Sequence, residues 1–479
     1  RSSLLRGDVF LCYNHYINKN KMAIKLTSYG AAQEVTGSCH LLNINGFRIV
    51  VDCGLWQGGE ENYLKNWDEL GFDAKDIDAV ILTHAHLDHC GRLPRLFANK
   101  YKGKIYLTPP TAKLARIILD DNLKITLQKS SQMKLPVLYS PDDLAKTYSA
   151  FEIVDYYQTT KLSGDINFTF HNAGHILGSA FVEIKANDPR NSGASKTIIF
   201  SGDIGGEDMP LVKDIDYLDK ADWVVCESTY GDRLHENLNT RDQKLIQAVQ
   251  RVTSNNSTLM IAVFAIERTQ DILEVLNNYY ENHLDFKVPI FLDSPMAARA
   301  TEVYKQYTRY FKDEAQDILK TDRDLFDFPH LKVTNQTRDS KKINSLPPPK
   351  IVLAGSGMLE GGRMMHHLAH YMNVAKNHLL LTGFQVPGTV GHKVLNGATH
   401  FKYYDHSIQI KAMVDQIDGF SAHGDQAAML KWLKAFGKNT KKVFLTHGHG
   451  QAFDVFADKI KNQLGISAEI VEFNKTNIL

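Results

Sequence analysis

Leu82-Thr83-His84-Ala85-His86-Leu87-Asp88-His89 is the stretch on which the fold turns. It follows Ala79–Leu82, a short apolar run of strand type. Imidazoles two residues apart on a tight strand-to-helix turn, at His84 and His86, can both point at one cation. Asp88 and His89 then point at a second. Four ligand-type side chains this close have little reason to be buried together without an ion to compensate them.

Further pieces lie outward along the chain. His175 sits in AGHILGSA, where small residues let the backbone approach closely. Asp203 ends IIFSGD, and Asp52 ends the strand pattern in IVVDCG. Alone, His175 reads as a satisfied core histidine and the two aspartates as helix caps. Together they extend one pattern: Asp52, His84, Asp203, Glu227 and His447 each stand at or just past the end of a strand. Ligands of α/β sheets bind beyond the carboxyl ends of the strands. A set of nitrogen and oxygen ligands without thiolate suits catalytic zinc, or manganese, better than a closed structural site.

Short β-branched runs alternate with helical periodicity for most of the chain, which predicts α/β architecture with layered sheets. Strands are expected at Met22–Gly30, Ile49–Val51, Ala79–Leu82, Thr197–Phe200, Trp223–Cys226, Leu259–Phe264, Ile290–Leu292, Ile351–Ala354, Leu379–Leu381 and Val443–Leu445. Helices are expected at Arg241–Val252, Glu267–Tyr280, Met296–Leu319 and Asp425–Phe436. Asp188–Ser195 reads as a hairpin turn. Pro329–Lys350, polar, basic and ending in three prolines and a lysine, reads as a linker. Residues 1–21 read as upstream or non-native sequence, with Met22 as the native start.

Composition bounds the function. The 55 Lys+Arg against 54 Asp+Glu leave a net charge of +1, so a nucleic-acid partner must be held by metals or a local patch rather than an overall basic field. Five scattered cysteines with no C-x-x-C pair argue against a disulfide scaffold and fit a reducing, cytoplasmic setting. No apolar run approaches the roughly 20 residues that span a bilayer, so no membrane partner is expected.

HAHLDH with downstream His175 and Asp203 resembles the metallo-β-lactamase superfamily. GAAQEVTGSCHLL, ESTYGDR, VFAIERTQDIL, LDSPMAARATEVY, GSGMLEGGR, GFQVPGTVG, DGFSAHGD and FLTHG resemble its β-CASP branch, which includes bacterial ribonuclease J and the nuclease subunit of the cleavage and polyadenylation machinery. The likeness runs from Met22 to the C-terminus and is strongest to short bacterial members built of the two catalytic domains.

The resemblance implies an α/β fold: a metallo-β-lactamase αββα sandwich (residues 22–228 and 403–479) with an inserted α/β β-CASP domain (229–402) acting as a lid. It implies two zinc ions per chain. His84, His86 and His175 would hold one; Asp88, His89 and His447 the other; Asp203 would bridge them. Asp52 would orient the attacking hydroxide, and His423, oriented by Glu227, would be the general acid. In the Gly-rich GSGMLEGGR, Ser356 and Arg363 would meet a substrate phosphate. The implied activity is ribonuclease, in RNA processing or decay, giving 5′-phosphate and 3′-hydroxyl products. Endonucleolytic and 5′–3′ exonucleolytic cleavage both stay open, and so does a homodimer.

Three positions depart from the family pattern: Glu267 where Gly is usual, His392 where Arg or Lys is common, and His449 where Glu is usual. Rival readings are a small-molecule hydrolase, which should lack the β-CASP insertion; a DNA nuclease, whose relatives lack the final motif histidine; and a scaffold, which should have lost metal ligands.

Overall fold

The computed structural model describes residues 23–188, 194–207, 209–322, 324–386 and 388–479. Residues 1–21, with Cys12, lie outside the described residues, as does most of the expected Asp188–Ser195 turn. The flanking strands Ala180–Asn187 and Ser195–Phe200 pair antiparallel, with Asn187 opposite Ser195.

Two seven-stranded sheets stack face to face. In one the strand order is Thr476–Ile478, Ile24–Ser28, His40–Ile44, Phe47–Val51, Ala79–Ile81, Lys104–Leu107 and Phe151–Ile153. In the other it is Ala468–Ile470, Lys442–Thr446, Trp223–Glu227, Ser195–Phe200, Ala180–Asn187, Ile166–Asn172 and Thr160–Ser163. Strand alternation sends Ile198, Phe200 and Val225 into the core between the sheets. Ile199, Val224 and Cys226 point the other way, under the helices Gln426–Ala435 and Gln451–Lys459. Such strands are buried on both faces, which is why they read as unbroken apolar runs. Each Val, Leu, Ile or Phe so buried stabilises by roughly 1.5–3 kcal/mol.

A third sheet is wholly parallel, in the order Leu331–Val333, Ile290–Leu292, Lys350–Ala354, Thr258–Ala262, His378–Thr382 and Met413–Ile417. Its carboxyl ends, marked by Asp293, Gly355 and Gly383, lie on the same side as Glu267, whose side chain reaches the sandwich at Leu177. Sheet pairing carries this inserted unit past the expected boundary at 402, to Ile417.

Two expectations are corrected. Pro329–Lys350 is no linker: it holds the edge strand Leu331–Val333 and the helix Thr337–Ser345. That helix buries only Ser340 and Ile343, so its solvated face supplied the misleading polar composition. Met296–Leu319 is not one helix but two, Pro295–Gln306 and Asp313–Thr321. The break lets Phe311 bridge to Val212 and Lys312 N–H reach Leu211 O, a tertiary pairing that outweighs helical continuity. Among the described residues, no helix is long and apolar enough to cross a membrane.

Candidate metal centre

Five strand ends of the sandwich deliver the polar residues to one place. Asp52 follows Val51, His84 lies three residues past Ile81, Asp203 three past Phe200, Glu227 closes its strand, and His447 follows Thr446. Close backbone approach makes this possible. A Cβ on Gly54 would lie 1.5 Å from Asp88 O, and one on Gly205 would lie 1.8 Å from Gly174 O. Only glycine lets the Asp52 and Asp203 turns nest against those that carry Asp88 and His175.

His84 Nε2 and His175 Nε2 each lie 3.1 Å from His86 Nδ1, and Asp203 Oδ2 lies 3.4 Å from His84 Nε2 and 3.6 Å from His175 Nε2. On the other side, His89 Nε2 lies 3.2 Å and His447 Nε2 3.6 Å from Asp203 Oδ1, and His447 Nε2 lies 3.2 Å from Asp88 Oδ2. Asp203 thus faces one group with each oxygen. The ligand atoms of His84, His86, His175 and Asp203, and those of Asp88, His89 and His447, form two groups, each within 4.8 Å.

The surrounding hydrogen bonds fix which ring nitrogens are bare. Thr83 Oγ1 donates to Asp52 Oδ2, so it can only accept from His84 Nδ1–H at 3.0 Å, which leaves His84 Nε2 a lone pair. His175 Nδ1 lies 3.0 Å from the Ala422 carbonyl and must donate to it, which bares Nε2. Thr229 Oγ1 donates to His447 O, so it accepts from His447 Nδ1–H and bares that Nε2. His89 Nδ1 donates to Asp52 Oδ2 at 2.7 Å, which turns Nε2 toward Asp203 Oδ1, 3.2 Å away. Second hydrogen bonds of this kind set tautomer and ring orientation in metal sites.

Bare nitrogens therefore converge on one another and on carboxylates. Asp203 Oδ1 is buried and makes no geometric hydrogen bond among the described residues; its near neighbours are His89 Nε2 at 3.2 Å and His447 Nε2 at 3.6 Å. Acceptors packed this closely call for a cation, and divalent metal satisfies them together. Burial, then His84, pushes His86 down to about 3, so it offers a lone pair at neutral pH. Burial, then His423, holds His175 well below the usual imidazole range. Burial would lower His89 too, but Asp203 and Asp52 outweigh it and raise it; a cation would take the place of that proton. The donor set fits zinc, with three imidazoles and a carboxylate on one side and two imidazoles with carboxylates on the other.

Beside this pair, His423 Nδ1 lies 3.1 Å from both Glu227 oxygens, and His423 Nε2 lies 3.9 Å from Asp203 Oδ2. Glu227 is fully buried, and its oxygens accept from the Ile204 and Thr229 amides, so its carboxylate is held in place. Burial alone would lower His423, but Glu227 and then Asp203 raise it to about 9.

Two further expected site residues are held by the protein itself. Both Asp52 oxygens are engaged by Thr83 and one also by His89, which ties Asp52 to two residues of the centre. Arg363 is engaged within the lid: its guanidinium bonds Asp293 at 2.6 Å and the carbonyls of Thr334 and Asn335 at 2.9 Å. Ser356 Oγ, partly exposed, accepts from the Glu360 amide. Sequence reading assigned nothing to Thr83, Thr229, or Ser179, whose Oγ holds the His175 and Ile176 amides. Their only sequence signal was a hydroxyl beside a ligand motif, in LTHAH, ESTYG and HILGS.

Three family models match the chain: a metallo-β-lactamase superfamily domain over residues 41–192, a β-CASP domain over 269–394, and a Zn-dependent metallo-hydrolase RNA specificity domain over 407–471. Ribonuclease TTHA0252 of Thermus thermophilus is 37% identical over 89% of this chain and 93% of its own length. The chain belongs to the β-CASP branch of the metallo-β-lactamase superfamily. Other β-CASP relatives include transcription termination factor FttA of Methanocaldococcus jannaschii, 30% identical over 91% of this chain and 69% of its own. Integrator complex subunit 11 of Danio rerio is 28% identical over 93% and 72%. A solved structure of a protein of unknown function from Enterococcus faecalis shares the fold, with a TM-score of 0.52 at 12% identity over 95% of this chain and all of the other.

Proposed function

We propose that this β-CASP protein is a zinc-dependent ribonuclease, holding two ions and hydrolysing RNA phosphodiester bonds to 5′-phosphate and 3′-hydroxyl products. The observation that carries it is Asp203, whose two oxygens each face a separate group of metal-competent side chains, beside a histidine with a raised pKa. The relative named as a ribonuclease and the match to an RNA specificity domain support RNA as the substrate.

In this reading His84, His86 and His175 would hold one ion and Asp88, His89 and His447 the other, with Asp203 available to both. When bound, a zinc pair supplies Lewis acidity, lowers the pKa of water to about 7 and offsets phosphate charge. The chain's own residues do the rest. Asp52 fixes His89 through Nδ1, and Thr83 fixes both Asp52 and His84. His423, charged at neutral pH and anchored by Glu227, holds a proton on Nε2 for the departing 3′-oxygen. Substrate lies between the sandwich and the carboxyl ends of the lid sheet.

The test uses 5′-labelled and 3′-labelled RNA and DNA oligomers of one sequence, with and without added zinc. Zinc-dependent cleavage of RNA, leaving 5′-phosphate ends, is expected. Intact RNA in protein carrying two zinc equivalents overturns the reading, and preferential cleavage of DNA replaces it.

A further inference from the structure

The turn that carries His175 is held at three consecutive amides. Ser179 Oγ takes the first two, His175 N–H and Ile176 N–H, each at 3.1 Å. The third, Leu177 N–H, is taken from the lid: Glu267 Oε2 accepts it at 3.1 Å, and Tyr304 Oη lies 3.4 Å away. Tyr304 O–H also donates to Glu267 Oε2, at 2.5 Å. One buried carboxylate oxygen therefore ties two lid elements to the backbone two residues beyond a proposed metal ligand.

Glu267 reaches there from a strained backbone. Its φ of 64° and ψ of −62°, with Arg268 N–H bonded to Ile266 O at 2.9 Å, define a γ-turn of the rare form that glycine adopts more readily. Strained residues of this kind persist where their surroundings over-determine them, and they cluster at functional sites. The side chain is 1% exposed, and its Oε1 has no hydrogen-bond partner among the described residues. Burial, then Asp271, raises its pKa well above the usual carboxyl range. What this position supplies to Leu177 is an acceptor oxygen.

We propose that Glu267 is a positioning residue: from the lid it holds the His175 turn, and thereby fixes His175 and the lid over the metal centre. The proposal rests on the metal centre assigned above, and its effect on RNA cleavage rests on the ribonuclease reading.

The test compares Glu267→Gly and Glu267→Gln with the wild-type full chain. Glycine relieves the γ-turn but removes the acceptor; glutamine keeps an acceptor oxygen without charge. Glu267→Gly should melt at or above the wild-type temperature. Its zinc affinity, measured by competition with a chelator, should nonetheless fall about tenfold or more, as for lost partners of metal ligands. Hydrogen exchange at Leu177 should quicken, and kcat on RNA should drop on the order of tenfold with KM little changed. Glu267→Gln should restore zinc affinity and kcat to near wild type.

Unchanged zinc affinity in Glu267→Gly overturns the proposal, as does a Glu267→Gly protein that melts well below wild type. If wild-type protein cleaves no RNA, the ribonuclease reading fails, while zinc affinity, exchange and melting still judge Glu267.

Discussion

His423 and Glu227 form a nearly symmetric pair, with Nδ1 of the imidazole 3.1 Å from each carboxylate oxygen. The carboxylate comes from a strand of the sandwich, and the histidine from the chain just after the last strand of the lid sheet. The histidine is itself held on the sandwich, by a bridge to Gly205 and by Gly424 N–H bonded to Ile204 O, so the pair is built within that unit. His423, Glu227 and Asp203 make a third cluster of metal-competent atoms within 4.8 Å, but in the proposed reading His423 holds no metal, which separates proton donation from metal binding.

That separation gives the first prediction. His423→Ala should keep both metals by elemental analysis yet cleave ordinary RNA about 100- to 10,000-fold more slowly, the usual contribution of a general acid. A substrate with a good leaving group needs no proton and should lose far less. Equal slowing of both substrates would mean that His423 positions phosphate instead.

Asp203→Ala should cost more than any single histidine. It removes one oxygen from each group and leaves bare imidazole nitrogens facing one another. Both metal occupancy and cleavage should collapse together. In the wild type, zinc at a hundredfold its Kd should stabilise the fold by about 2.7 kcal/mol per independent site, read as a rise in melting temperature that a chelator reverses. Active protein carrying at most one metal would sink the two-metal mechanism.

Arg363→Ala tests the expectation that the structure redirects. The guanidinium completes the shell of Asp293, a fully buried carboxylate that also receives Thr334, Ser340 and His367. Removing one partner of a buried pair costs about 3–5 kcal/mol, and the three remaining donors favour the lower end. Denaturant unfolding should show this loss, while KM for RNA stays near wild type. A large rise in KM without destabilisation would return Arg363 to the substrate.

Much of this was legible in sequence because the site is written in short local motifs. HAHLDH, SGD and THG place metal-competent side chains at strand ends, and the strand ends of an α/β sheet are where ligands bind. Apolar runs such as Trp223–Cys226 marked strands because burial on both faces leaves no room for polar residues. What sequence hid was set by tertiary contact. Pro329–Lys350 looked like a linker because its one helix buries so little. The break before Phe311 follows from pairing with Val212, which no local pattern announces. Arg363 looked available beside a Gly-rich turn, and only the fold reveals Asp293 beneath it.

Two histidines, His447 and His449, follow the strand Lys442–Thr446, and spacing alone allows either to reach metal. The structure separates them. His447 has φ 51°, an unusual left-handed conformation for a non-glycine residue, which aims Nε2 to within 3.2 Å of Asp88 and 3.6 Å of Asp203. Its Nδ1–H is engaged by Thr229. His449 instead packs against Phe384 of the lid, ring centroids 5.2 Å apart, outside both ligand groups. His447→Ala should therefore lower occupancy of the second metal and nearly abolish cleavage. His449→Ala should retain both metals, and His449→Glu should be tolerated. The double substitution should be no worse than His447→Ala alone, since in the proposed assignment only His447 would hold metal. Loss of a metal in His449→Ala, with normal content in His447→Ala, would reverse the assignment.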